Sequence, residues 1–178
     1  ELSEKVTAVN SLAKSIGQVN DQIAKTQGSG QPPNDLLDRR DQLISQLNQY
    51  IQTTSIPADD GTVGVFIGGS QALVLGTTVA EISMVKDEFG DLLKSKLAIN
   101  RNGISVVMEE SALGGGEIPG LLRFQNEDLG EGRNLLGRLT MAVSQSMNEQ
   151  HRLGLDLDGN PGGNLFSAPT FDGNNVLI

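Results

Sequence analysis

The chain has 178 residues, a net charge of −9 and neither Cys nor Trp. That length holds one domain of ordinary size, or one domain with a modest insert. An acidic sequence without a basic patch argues against nucleic acid and against an anionic membrane surface as partners, and no apolar run approaches the ~20 residues that span a bilayer.

Aromatic residues make up only 3% of the sequence, so its core must be built from Leu, Ile, Val and Ala, which suits helix packing. The sequence opens on Glu1, directly inside a helical pattern and with no cleavable signal peptide, and is therefore expected to be a fragment of something longer. From Glu1 to Lys25, Leu2, Val6, Val9, Leu12, Ala13, Ile16, Val19 and Ile23 recur at spacings of three and four, which predicts an amphipathic helix. Gly17 costs that helix about 1 kcal/mol relative to Ala. The run from Gln27 to Pro33 breaks it. A second helix starts at Asn34, a good N-cap, with Asp35 and Asp38 placed to favour the dipole. Its apolar face carries Leu36, Leu37, Leu43, Ile44, Leu47, Tyr50 and Ile51. The short connection implies antiparallel packing of the two helices.

From Thr53 the hydrophobic period falls to two. Val63, Val65 and Ile67 alternate along a strand between the turn dipeptides Asp60-Gly61 and Gly68-Gly69, and Ala72 to Leu75 continues as a second strand. Leu97 to Arg101, Asn102-Gly103 and Ile104 to Met108 form the clearest hairpin. Thr53 to Ile56 and Val79 to Val85 are weaker strands, and Lys86 to Asp91 reads as a polar outer loop of one antiparallel meander of four to six strands. After Ala112 to Glu117 the sequence returns to a helical period. Leu122, Leu129, Leu136 and Val143 fall seven residues apart, with Leu139 and Met147 filling the alternate positions. Pro119 is tolerated in a first turn, whereas Gly130, Gly132 and Gly137 count against continuity.

The fold class expected is therefore α+β. Residues 1–52 and 117–153 form a discontinuous antiparallel helical bundle, residues 53–112 a small inserted β region, and residues 154–178 an extended segment leading toward a further domain. Ile16, Leu43, Leu47, Leu129, Leu136, Leu139 and Val143 are the expected core.

Few residues suggest chemistry. Asp156, Asp158 and Asn160 alternate as calcium ligands do, but the Gly and Glu that would complete an EF-hand loop are replaced by Pro161 and Ser167. Asx residues beside Gly also make ordinary turns, and that reading is preferred. His151 is the only histidine, too few for a zinc site, and suits a helix C-terminus. No Ser sits in a G-x-S-x-G elbow, and Gly114-Gly115-Gly116 lacks the Lys and Ser/Thr of a phosphate loop. Asp59-Asp60 and Glu109-Glu110 are sequence neighbours whose side chains are expected to point apart. No cofactor, metal or catalytic role is expected.

Two stretches resemble the flagellar hook-associated protein 1 family. One is N-D-L-L-D-R-R-D-Q-L over Asn34–Leu43. The other comprises Leu121 to Phe124, Asp128-Leu129, Arg133-Asn134, Leu136-Gly137, Asn148, Gln150-His151, Gly154, Asp156, Gly159 and Phe166. The resemblance implies a non-enzymatic subunit, exported without a cleaved signal to the extracellular flagellum, that forms a ring of copies at the hook–filament junction. It implies hook protein and the next junction protein as neighbours. An export chaperone would act through a terminal segment that this sequence lacks, together with the polymerising terminal helices. Polar subunit contacts are then expected at Asp35, Asp38, Arg39 and Arg40 on the second helix, and at Arg133 and Arg138 on the return helix. The alternatives are a generic coiled-coil adaptor, a flagellin-like axial subunit, and, least supported by the residues, a cell-wall hydrolase.

Overall fold

The computed structural model describes residues 1–26, 33–86 and 94–167. They fall into two compact units, one ending at Glu127 and the other beginning at Asp128. The expected break at Gln27–Pro33 and the polar loop after Lys86 lie almost wholly outside the described residues.

In the first unit, the 3.6-residue period of the N-terminal stretch produces helix α1 (Leu2–Thr26), which buries Val6, Val9, Ala13, Ile16, Val19 and Ile23. Helix α2 (Asn34–Tyr50) packs along it. Leu47 is fully buried, whereas Leu43, Ile44 and Tyr50 are partly covered. Strands β1 (Thr53–Pro57), β2 (Val63–Ile67), β3 (Gln71–Leu75) and β4 (Thr78–Val79) form a four-stranded antiparallel sheet in that order. Strands β5 (Glu81–Lys86), β6 (Ser95–Arg101) and β7 (Ile104–Met108) form a second sheet of three.

The single meander expected from the sequence is thus two sheets among the described residues. The division falls at Ala80, whose N–H donates to the Leu73 carbonyl at 2.8 Å. That bond ends the β3–β4 ladder, and the backbone then passes into β5. One core joins the layers: Val9 and Ile16 of α1, Leu47 of α2, Val65 and Leu73 of the first sheet, and Leu97 of the second are all fully buried.

Helix α1 is fixed to both sheets by side-chain amides. Asn20, fully buried, donates through Nδ2 to the carbonyls of Val63 and Gly76, each at 2.8 Å, and its Oδ1 accepts the Val63 N–H at 3.2 Å. Ladder bonds are missing on one side of Val63, because β3 pairs with β2 only from Val65 onward. Asn10 does the same on the edge strand β5: Nδ2 donates to the Ile82 carbonyl at 2.9 Å, and the Ile82 N–H donates to Oδ1 at 2.8 Å. The two amides lie about 15 Å apart along the helix at ~1.5 Å per residue. Between them, Gly17 lets β4 approach: a Cβ there would sit 2.7 Å from Val79 Cγ2. The helix propensity lost at Gly17 is thus exchanged for close helix–strand contact.

The backbone returns through a 3-10 turn (Glu110–Ala112) and a glycine loop to helix α3 (Glu117–Arg123). Gly116 has φ 116°, and a Cβ there would lie 2.6 Å from the Tyr50 carbonyl oxygen. Gln52 locks the loop, donating its N–H to the Gly115 carbonyl at 2.8 Å and accepting the Gly115 N–H at Oε1 at 2.9 Å. Of the three glycines, Gly114 and Gly115 therefore face the Gln52 side chain and Gly116 packs against the backbone of Tyr50 and Ile51. Ile118 and Leu122 of α3 enter the core. Glu117 pairs with Lys5, whose Nζ also stands 5.8 Å from the centre of the Tyr50 ring.

A π-helical turn, Phe124–Asp128, follows α3, and helix α4 (Leu129–Arg152) belongs to the second unit. The irregularity in the return helix is this turn, not Gly130 or Gly132, which lie inside α4 with open space around them. The expected core positions Ile16 and Leu47 are buried and Leu43 is partly buried, but Leu129, Leu136, Leu139 and Val143 are 39%, 66%, 61% and 48% exposed. That corrects the core expectation for α4. The rest of the unit's described residues form a loop segment that is hydrogen-bonded to the last turns of the helix, so the apolar stripe has no layer upon it among them.

Two stability outcomes follow. Asn20→Ala leaves two carbonyls and one N–H of the interior unpaired and is expected to cost about 2–4 kcal/mol in urea unfolding. Leu136→Ala is expected to change stability by no more than ~0.5 kcal/mol, against about 2–5 kcal/mol for Leu47→Ala. Equal losses at Leu136 and Leu47 would return Leu136 to the core.

Candidate functional site

The last turns of α4 and the segment after it form the most densely hydrogen-bonded polar cluster of the second unit. Asn148 Oδ1 accepts the N–H groups of Leu165 and Phe166 at 2.8 and 2.9 Å, and its Nδ2 donates to the Phe166 carbonyl at 2.9 Å. One turn on, His151 Nδ1 lies 2.7 Å from the Gly163 carbonyl oxygen. Arg152 Nε donates to Asn164 Oδ1 at 2.9 Å. Gly162 is needed for this fit, since a Cβ there would lie 2.2 Å from the His151 carbonyl oxygen. His151 thus ties a strap, residues 154–166, to the helix end. Residues 168–178 lie outside the described residues.

Asp156, Asp158 and Asn160 form a closed turn within that strap. Asp156 Oδ1 accepts the N–H groups of Asp158 and Asn160 at 2.9 and 2.8 Å, and Oδ2 accepts Asn160 Nδ2 at 3.0 Å. Asn160 offers Asp156 its nitrogen, whereas a cation would require its oxygen. Leu155 and Pro161 bridge the base of the turn. The three residues are thus arranged as the turn preferred from the sequence. The Asp156 carboxyl is held below its ordinary value, first by the Asn160 side-chain amide and then by the Asn160 N–H. A folded value below the unfolded one means that the turn's stabilisation is fully present above the unfolded value and is lost as pH falls through the folded one. An NMR titration is expected to place the Asp156 midpoint below the ~3.9 of a free aspartate, with the Asn160 amide proton following it. A midpoint at or above that value would contradict the turn.

The charged residues expected at subunit contacts divide. Asp35, Asp38 and Arg39 are all exposed on α2. Arg40 is not a surface residue: it is only 9% exposed, and its Nη1 donates to the Gly61 carbonyl at 2.8 Å. It pins the β1–β2 turn to α2, and its Nε has no hydrogen-bond acceptor, with the Asp41 carboxylate 3.9 Å away. Arg133 and Arg138 are both exposed on α4. Five residues separate them, roughly 140° around a helix, so they do not share one face.

The first unit has a shallow cleft of about 590 Å³ beside the 3-10 turn, lined by Glu109, Glu110, Arg123, Glu127 and the glycine loop. Both adjacent glutamates line it, because the backbone turns at Glu110 instead of continuing as strand. Glu110 is committed, accepting Asn126 Nδ2 at 2.8 Å. Asn126, in the π turn, also holds Ser95 by both its N–H and its carbonyl, at 3.1 and 3.0 Å. Asn10, Asn20, Asn126 and Asn148 therefore each hold backbone through both the oxygen and the nitrogen of one side-chain amide. Sequence reasoning misses this role for all four. A signal is available at Asn20, an amide in the apolar stripe between Ile16 and Ile23. No helix among the described residues is long and apolar enough to cross a membrane.

Comparison with known proteins accounts for this arrangement. The family model "Flagellar hook-associated protein FlgK helical domain" matches residues 1–166. The sequence is 34% identical over 168 residues to flagellar hook-associated protein 1 of Salmonella typhimurium, covering 93% of this protein and 30% of that one. It is 27% identical to the protein of the same name from Bacillus subtilis, covering 93% of this protein and 37% of the relative. Among solved structures, the flagellar hook junction protein FlgK from Burkholderia pseudomallei superposes with a TM-score of 0.83 at 32% identity, covering 93% of this protein and 30% of that one. The matched residues carry both the two-sheet, three-helix unit and the Asn148 strap, and the chain belongs to the FlgK helical-domain family of flagellar hook-associated proteins.

Proposed function

We propose that the chain is part of a structural subunit of the bacterial flagellum that forms the junction between hook and filament, and that it acts as a scaffold and not as an enzyme. The observation that carries this reading is the family match over residues 1–166. The polar groups gathered by the fold support it, because they are spent on holding backbone and on one another: Asn126 on Ser95 and Glu110, His151 on Gly163, Asp156 on its own turn. In the full-length protein the neighbours would be copies of itself in a ring, hook protein and the next junction protein. An export chaperone would engage terminal segments, and export would proceed without a cleaved signal to the cell exterior.

The uncovered stripe of α4 fits this role. Leu136, Leu139 and Val143 are more than an isolated helix would leave in water, and we assign them to contact with helices in the assembled flagellum. The same stripe is what a general coiled-coil adaptor would present. Complementation separates the two. A strain made non-motile by deletion of its own junction protein would receive the full-length parent gene, intact or with Leu136→Glu and Leu139→Glu. The intact gene is expected to restore filaments and swimming. The double substitution is expected to abolish filament attachment while leaving the stability of the isolated protein within about 1 kcal/mol of the original, since both sites are exposed. Failure of the intact gene to restore filaments, with normal export, would reject the junction role. Full motility with the double substitution would reject the assignment of the stripe.

A further inference from the structure

We propose that Asn102, at the tip of the β6–β7 hairpin, is a site of spontaneous deamidation and isoaspartate formation. In this reaction the main-chain nitrogen of Gly103 attacks Asn102 Cγ. A new N–Cγ bond closes a cyclic imide, the Cγ–Nδ2 bond breaks, and ammonia leaves with the proton given up by the attacking amide. Water then opens the imide at either carbonyl. One product is aspartate; the other is isoaspartate, in which the backbone runs through the former Cγ. No group is oxidised or reduced, and water is the only co-reactant.

Several observations single out this residue. Asn102-Gly103 is the only Asn-Gly pair in the sequence. The two residues have φ 50° and 79° and join the paired residues Arg101 and Ile104, which is a two-residue type I′ loop. Such a loop closes on hydrogen bonds between its flanking pair, so the Gly103 N–H lies outside the ladder. Both residues are exposed, and nothing stands within 4 Å of the position a Gly103 Cβ would take. The Asn102 carboxamide has no hydrogen-bond partner among the described residues, so the group that is attacked and the group that attacks are both free.

Other asparagines are protected in distinct ways. The carboxamides of Asn10, Asn20, Asn126 and Asn148 are held at both the oxygen and the nitrogen. Asn160 precedes Pro161, which has no N–H to attack. Isoaspartate would add an atom to the backbone of a loop whose geometry requires two residues, and the β6–β7 register closes on that loop. Because β7 is an edge strand with Ile104, Val106 and Val107 exposed, the lesion would fray β7 and leave the core standing.

The test incubates the protein, folded and in denaturant, in the same mildly alkaline buffer. Amide loss is followed by peptide mass mapping, and isoaspartate is located by enzymatic methylation. In the folded protein Asn102 is expected to react first, at a rate less than about tenfold below that of the denatured state. Asn126 and Asn148 are expected to be slowed by folding on the order of tenfold or more, since their bonds must open first. Asn102→Gly, which keeps the loop geometry, is expected to remove the modification. Slowing of Asn102 by more than about tenfold on folding would overturn the proposal, because the turn would then protect it. So would earlier reaction at another asparagine of the folded protein.

Discussion

A strand that is not fully paired leaves N–H and C=O groups that water cannot reach once a helix lies over them, and leaving them bare is costly. Asparagine solves this with the shortest side group that presents a donor and an acceptor in one plane, as a peptide group does. Here Asn20 completes β2 where β3 does not reach, Asn10 closes part of the β5 edge, and Asn126 holds the start of β6. The hydrophobic core brings helix and sheet together without fixing their register, because burial of Val, Leu and Ile is non-directional. The amides supply the direction. In the first unit, the position of α1 over two separate sheets depends on two of them.

The second unit uses the same device for a different end. Asn148 holds a strap, not a sheet, and with His151 and Arg152 it fixes the course of the backbone beyond α4. Among the described residues of that unit there is no layer to cover its helix. The two units thus differ in self-sufficiency: the first buries Ile16, Leu47, Leu73 and Leu97 completely, and α4 of the second buries only Asn148. A fold of this kind suits a part whose remaining contacts come from its surroundings.

The legible and illegible parts of the sequence divide along physical lines. Local periodicity is readable: α1, α2 and the Asn102-Gly103 hairpin stand where the spacing puts them, because their determinants lie within a few residues. The number of sheets is not, since it turns on a single bond from Ala80 to Leu73 that no local pattern announces. The seven-residue line through Leu122, Leu129, Leu136 and Val143 misleads for two reasons. A π turn holds more residues than an α turn, so a count carried across Phe124–Asp128 does not stay in phase, and a stripe reveals that a partner is wanted without saying where it is. Arg40 misleads because charge does not guarantee exposure: its stem is buried, and its head donates to the Gly61 carbonyl. At the strap, the turn is the better reading of Asp156 and Asn160 from the outset, because the missing Glu and Gly are visible in the sequence itself.

The amide clamps also divide the tolerance to substitution unevenly between the two sides of each contact. Asn10, Asn20, Asn126 and Asn148 grip main-chain atoms of Ile82, Val63, Ser95 and Phe166, atoms that every residue except proline presents alike. On the strand side, then, the clamp itself specifies almost nothing about residue identity, and packing alone limits what can stand there. On the helix side almost nothing can replace the asparagine: aspartate lacks the donor, leucine lacks both groups, and glutamine is a methylene too long. The fold can therefore accept wide divergence in its strands while four helix and turn positions stay narrow, and a protein assembled on this plan could keep its register through considerable drift in sequence.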